Sequence, residues 1–310
     1  MKKTITFVEK LIELIKEKRS VVSMGLDPRM DSEGEIPQYL VKELENPNKI
    51  ILEFNKMLID KTFDLIPVVK PQIAFYEKYD ALNALKETIK YAHKKDLLVI
   101  LDSKRNDIGP TSEAYAYSNF MVYNADACTI NAYFGIDGVK PFLEFQERGT
   151  FVLVKTSNPS SGEFQNLFSA NIDNVPETQT EINVNEIKLE RNYIQMAKLI
   201  NKWGNNLQMF SDFHNLGVVV GATYPNELKA IRKIVKNSFI LIPGYGVQGA
   251  TAKDVKYGFK EEGMGGIVNS SRGIIYAYAK NKKYPPEKFG DAARVEIIKM
   301  NNDLNHEIGI

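Results

Sequence analysis

Eight short apolar runs, each closed by glycine or polar residues, constrain this chain more than any other feature. They are Val21–Leu26, Pro67–Lys70, Leu97–Leu101, Ala127–Ile130, Thr150–Val154, Gly217–Val220, Phe239–Ile242 and Gly266–Val268. Continuous apolar runs rich in Val and Ile suit strands buried on both faces, as in parallel sheets. Helical patterns separate most of them, for example Tyr79–Lys94 and Pro225–Lys236. Strand–helix alternation implies βαβ units, and eight of them point to a closed α/β architecture, the (β/α)8 TIM barrel. A doubly wound open sheet is the alternative, and the strand count disfavours it.

A barrel of this kind takes about 250 residues, and the chain has 310. The surplus falls at Asp31–Asp64, between strands one and two, and at Ser160–Asn215, between strands five and six. The first suggests extra helices and the second a long insertion. Within it, Asn171–Glu186 is polar and aperiodic and reads as an exposed excursion. No linker divides the chain, so residues 1–310 are expected to form one barrel domain. At the N-terminus Ile5, Val8, Leu11, Ile12 and Ile15 recur at helical spacing, with Glu9, Lys10, Glu13, Lys16 and Glu17 opposite. That is an amphipathic helix packing on a core, not an export signal.

Charge excludes some functions. Forty basic residues nearly cancel thirty-nine acidic ones, for a net +1, which gives no reason to expect a nucleic-acid or membrane partner. No apolar run is long enough to span a bilayer, and a cytoplasmic location is expected. One cysteine, Cys128, and three scattered histidines, His93, His214 and His306, exclude an internal disulfide and make a His/Cys metal site improbable. A carboxylate-bound magnesium stays open. Cys128 and the lone Trp203 read as packing residues.

In β/α barrels the reactive groups gather at the C-terminal strand ends. The third run continues as Asp102-Ser-Lys-Arg-Asn-Asp107. Alternation places Ile100, Asp102 and Lys104 on one face, so a carboxylate and an ammonium would lie side by side, with Asp107 in the following loop. The second run ends at Lys70 and the first leads to Asp27. Any one of these charges suits a structural ion pair. Several together on buried strands demand a reason, because burial of charge is costly.

The last two strand ends read as a phosphate site. Pro243-Gly-Tyr-Gly-Val-Gln-Gly-Ala250 follows the seventh run, and the eighth leads into Asn269-Ser-Ser-Arg-Gly273. Gly244 and Gly246 would let backbone N–H groups approach phosphate oxygens. Arg272 can grip phosphate in a bidentate way, beside Ser271, and a helix starting after it would add its dipole. The fifth run ends in Lys155-Thr-Ser-Asn-Pro-Ser-Ser161, whose hydroxyls could bond a polar ring, though such a string is also ordinary turn chemistry.

The string Asp102-Ser-Lys-Arg-Asn-Asp107 resembles the D-x-K-x-x-D signature of the orotidine 5'-phosphate decarboxylase superfamily. Its continuation to Thr111, with Phe54-Asn-Lys, Lys70-Pro-Gln, Thr156-Ser-Asn-Pro-Ser160, Pro243 to Gly249 and Ser271-Arg272, is similar to the longer bacterial, type 2 branch. Shorter members usually carry Gly where this chain has Ser271. The resemblance implies a cofactor-free carboxy-lyase acting on a nucleotide in pyrimidine biosynthesis, with no metal. It implies that Asp27 and Lys70 hold the ribose, Asp102 faces the substrate carboxylate and Lys104 protonates ring carbon 6. Ser157 would bond the pyrimidine edge, Gln248 would link ring and phosphate, and Arg272 would hold the phosphate. Asp107 and Thr111 would enter the neighbouring pocket of a homodimer with shared active sites. Two other readings stand: a magnesium-dependent sugar-phosphate decarboxylase or aldolase of the same superfamily, and a non-catalytic nucleotide-binding barrel.

Overall fold

The computed structural model describes residues 5–32, 35–170, 188–280 and 283–310. Eight parallel strands close into a barrel in sequence order: β1 (Val22–Leu26), β2 (Val68–Pro71), β3 (Leu98–Arg105), β4 (Ala127–Ile130), β5 (Gly149–Lys155), β6 (Leu216–Val220), β7 (Ile240–Pro243) and β8 (Gly266–Ser270). The ring closes where β8 pairs with β1, Val268 opposite Val22. All eight expected strands are present, and the open-sheet alternative is excluded by that closure. Several run further than their apolar core. β3 extends to Arg105 and β8 to Ser270, because a parallel ladder is bonded through the backbone and tolerates polar side chains at the mouth.

The helices pack outside. Pro47–Thr62 buries Ile50, Ile51, Phe54, Leu58 and Ile59, and is started by Asn46, whose side chain accepts the Lys49 N–H. It packs with Gln38–Leu44 into the surplus between β1 and β2. The pattern read over Tyr79–Lys94 is the helix Leu82–Lys94, and a separate short helix, Ile73–Lys78, precedes it. They are parted at Asp80, whose φ of 49° takes the chain out of the helix. After β6 the helix is Pro225–Ile234, two residues shorter than expected.

The N-terminal helix spans Phe7–Lys18 and is started by a capping box of Thr6 and Glu9. It buries Val8, Leu11, Ile12 and Ile15 as expected, with Phe7 and Leu14 added. Ile5 lies before the cap and is exposed. The Phe7 ring meets Phe151 edge-on at 5.9 Å, so this helix covers the N-terminal ends of β4 and β5, opposite the barrel mouth. The insertion after β5 contains the short helix Gly162–Gln165, a two-stranded ribbon of Phe168–Ser169 and Glu190–Arg191, and the helix Asn192–Gly204. The excursion expected at Asn171–Glu186 lies outside the described residues.

Candidate active site

The end of β3 departs from regular pleating. Its pairing with β4 shifts register between Leu101 and Arg105, and Lys104 adopts φ 49°. A left-handed conformation costs a non-glycine residue about 1–2 kcal/mol. Here the Lys104 N–H donates to Thr129 Oγ1 at 3.1 Å, which holds the bend. Lys104 thus meets Asp102 as alternation suggested, but through a bulge that re-aims its side chain.

A charge array results. Lys70 Nζ lies 2.6 Å from Asp102 Oδ2 and Lys104 Nζ 2.5 Å from Oδ1. The Thr129 hydroxyl also donates to Oδ1, at 2.7 Å. Asp102 and Lys70 are buried, while the Lys104 side chain is 43% exposed toward the mouth. Burial alone would neutralise Asp102. The ammonium groups of Lys70 and Lys104 outweigh it and hold the carboxyl below its usual range. For Lys70, burial works against the charge, but Asp102 and Asp27 win and raise it above an ordinary lysine. Both groups are therefore ionised at neutral pH. A buried pair of this kind is weak evidence for stability, since desolvation offsets attraction. Its value lies in a preset field.

Beside the array a cavity of about 280 Å³ opens between the ends of β1, β2, β7 and β8. Lys70, Asp102 and Asp27 line one side; Gly244, Gln248, Ser271 and Arg272 line the other. Asp27 Oδ1 is buried without a hydrogen-bond partner, an acceptor left for something in the cavity. Arg272 is exposed, and its side chain has no ion-pair partner among the described residues. The short helix Arg272–Ile275 begins at Arg272 itself. Gly244 has φ 103°, and a Cβ there would meet Gln248 Oε1 at 2.7 Å and Ser157 Cβ at 3.5 Å. Glycine therefore lets the ends of β5 and β7 close on one another.

Five sequence-derived candidates are not among the residues lining this cavity: Lys104, which reaches it only through Asp102, and Gly246, Ser157, Asp107 and Thr111. Gly246 lies on the outer side of its loop, and its N–H donates to the Ala250 carbonyl at 2.9 Å. That turn bond removes it as a donor inside the cavity. Ser157 borders Gly244 without lining the cavity. Asp107 is half-buried beyond β3, where Oδ1 accepts the Ile108 N–H, and Thr111 is exposed on the helix Gly109–Tyr117. Cys128 is buried in β4, and burial pushes its thiol up to about 12, in keeping with a packing role. Trp203 packs against the core.

Two participants escaped the sequence reading. Thr129 is a β-branched residue of the kind common in strands, and its hydroxyl within the otherwise apolar run Ala127–Ile130 is the signal the sequence offers. Arg29 also lines the cavity. Its guanidinium sits 5.1 Å from the Phe75 ring centroid, and the Tyr276 hydroxyl accepts its backbone N–H.

Comparison with known proteins gives the family of the chain. Residues 22–284 match the model of the orotidine 5'-phosphate decarboxylase / HUMPS family. An orotidine 5'-phosphate decarboxylase of Petrotoga mobilis is 39% identical, with 95% of this chain and 96% of that protein covered. One from Caldicellulosiruptor saccharolyticus is 37% identical, covering 98% and 99%. The solved structure of Leishmania donovani OMP decarboxylase superposes with a TM-score of 0.70 at 28% identity, covering 96% of this chain and 99% of that one. By the extent of these matches, the chain belongs to the orotidine 5'-phosphate decarboxylase / HUMPS family.

Proposed function

We propose that the barrel mouth decarboxylates orotidine 5'-phosphate to uridine 5'-phosphate without metal or organic cofactor. The observation that carries this reading is the engagement of both Asp102 oxygens by ammonium groups, at 2.6 and 2.5 Å. A magnesium-bound enediolate needs carboxylate oxygens free for the metal, and a passive nucleotide sensor has no use for a cation between carboxylates. Arg272, Ser271 and Gly244 take the phosphate, Gln248 spans phosphate and ring, and Asp27 with Lys70 takes the ribose hydroxyls. Ser157 meets the pyrimidine edge.

The substrate carboxylate then lies beside Asp102, close to Lys104. The bond from ring carbon 6 to the carboxyl carbon breaks, carbon dioxide leaves, and the electron pair stays on carbon 6. The Lys104 ammonium stabilises that pair and delivers its proton to it. The neutral amine recovers a proton from solvent, to which Lys104 is open. Conversion is read as the change in ultraviolet absorbance when the pyrimidine loses its carboxylate. Dialysis against a chelator should leave the rate unchanged. A large loss restored by magnesium would instead support the enediolate chemistry.

The phosphate assignment has its own test. Arg272→Ala should lower kcat/KM by about 10²- to 10³-fold, the range for removing one partner of a charge-assisted pair. The same variant should act on orotidine, which lacks the phosphate, almost as well as wild type does. An equal loss on both substrates would remove Arg272 from the phosphate site.

The reading includes a homodimer. Asn106 and Ser112 side chains both donate to the Gly138 carbonyl, joining the loop after β3 and the helix Gly109–Tyr117 to the helix Ile136–Leu143. These joined segments expose Ile108, Tyr133, Phe134 and Ile136, with Tyr133 75% accessible. Large exposed apolar side chains grouped this way suit a self-complementary contact. Asp107 and Thr111 lie on the same segments, where a partner's cavity can receive them.

A further inference from the structure

Lys155, at the end of β5, is fully buried and has no carboxylate within ion-pair distance among the described residues. A buried cation without a counter-charge is costly, so its surroundings bear inspection. Its ammonium donates to Ser161 Oγ at 2.8 Å and lies 4.3 Å from the centroid of the Tyr224 ring. Ser161 Oγ donates onward to the Tyr224 hydroxyl, which donates to the Asn158 carbonyl, both at 3.3 Å. This chain of contacts runs around the segment Thr156–Asn158 and returns to it. The Lys155 carbonyl accepts the Gly221 N–H at 2.7 Å, and a Cβ on Gly221 would lie 2.8 Å from Ser157 Cα. Ser157 is therefore pressed against β6 on one side and tied to the next helix start on the other. Its own hydroxyl has no partner among the described residues.

We propose that Lys155, Ser161 and Tyr224 form a brace that sets the position of Ser157, making them positioning residues for recognition of the pyrimidine edge. The inference rests on the reading above that this segment meets the ring. Lys155 supplies both donor and cation, and the Tyr224 face replaces part of its lost hydration. Burial draws its ammonium below the ordinary lysine range, against the opposing pull of Tyr224 and Glu227 and with the Arg191 charge adding to the fall. Such a cation is retained where it orders a loop that lacks a ladder of its own.

The test uses two ligands that differ only in the base. Binding of uridine 5'-monophosphate and of ribose 5-phosphate is measured by calorimetry for wild type, Tyr224→Phe, Lys155→Met and Ser157→Ala. Tyr224→Phe keeps the ring and removes the hydroxyl, so it carries the test even if Lys155→Met does not fold. It should weaken uridine 5'-monophosphate about three- to tenfold, the worth of one hydrogen bond, and leave ribose 5-phosphate unchanged. Equal weakening of both ligands, or none, overturns the brace. Ser157→Ala separates the two readings. A selective loss there with none in Tyr224→Phe overturns the brace and keeps Ser157 at the ring. The reverse overturns Ser157 as the residue through which the brace acts, and assigns recognition to another group of the segment.

Discussion

Lys104→Met should lower kcat for orotidine 5'-phosphate by about 10⁴- to 10⁶-fold. The range combines loss of a positioned proton donor with loss of a preorganised charge at the reacting carbon. The fold should survive, because the Lys104 side chain is 43% exposed and its backbone bend is held by Thr129. Affinity for uridine 5'-phosphate should change much less, since Lys104 acts where charge develops and not where phosphate or ribose is held. Arginine should not rescue the rate. A guanidinium keeps the positive charge but does not release its proton near neutral pH. Steady-state absorbance assays measure the effect. A Lys104→Met rate within tenfold of wild type would remove Lys104 from the chemistry.

The second large effect is a recovery. Lys104→Ala and Asp107→Ala homodimers should each be nearly inactive. If Asp107 serves the neighbouring pocket, mixing the two under subunit exchange creates one pocket with both groups intact. That pocket draws Lys104 from the Asp107 variant and Asp107 from the Lys104 variant. The other pocket carries both defects. Because a two-fold interface contributes reciprocally to both sites, each heterodimer should regain at most about half the wild-type activity. The geometry motivates this outcome: Lys104 is paired with Asp102 of its own chain, while the Asp107 carboxylate accepts only the Ile108 N–H among the described residues. No recovery, with exchange shown independently, would place both residues in one pocket.

What the chain discloses in advance follows from which forces act locally. Eight strands were legible because burial on both faces leaves an unbroken Val/Ile signature. Their ends were less so, since β3 and β8 continue into polar residues that the ladder accepts. The Asp102–Lys104 contact was foreseen from alternation, yet it is made through a register shift and a left-handed Lys104 that no two-residue period encodes. Gly246 looked equivalent to Gly244 in sequence, and only the turn bond to Ala250 separates them. Thr129 and Arg29 act through neighbours remote along the chain, and Lys155 through Tyr224 as well as the nearby Ser161, so their roles depend on closure of the barrel. The role of Asp107 and Thr111 in a neighbouring pocket comes from the resemblance, because no local pattern encodes what a residue meets across an interface.

The most direct measurement follows the reacting carbon. Wild-type protein is incubated with orotidine 5'-phosphate in heavy water containing a chelator, and the product is weighed by mass spectrometry. The expected result is one carbon dioxide released per substrate consumed, and uridine 5'-phosphate bearing a single deuterium on ring carbon 6. Unchanged substrate, or turnover that appears only when magnesium is restored, would contradict metal-free decarboxylation at the Lys70–Asp102–Lys104 array.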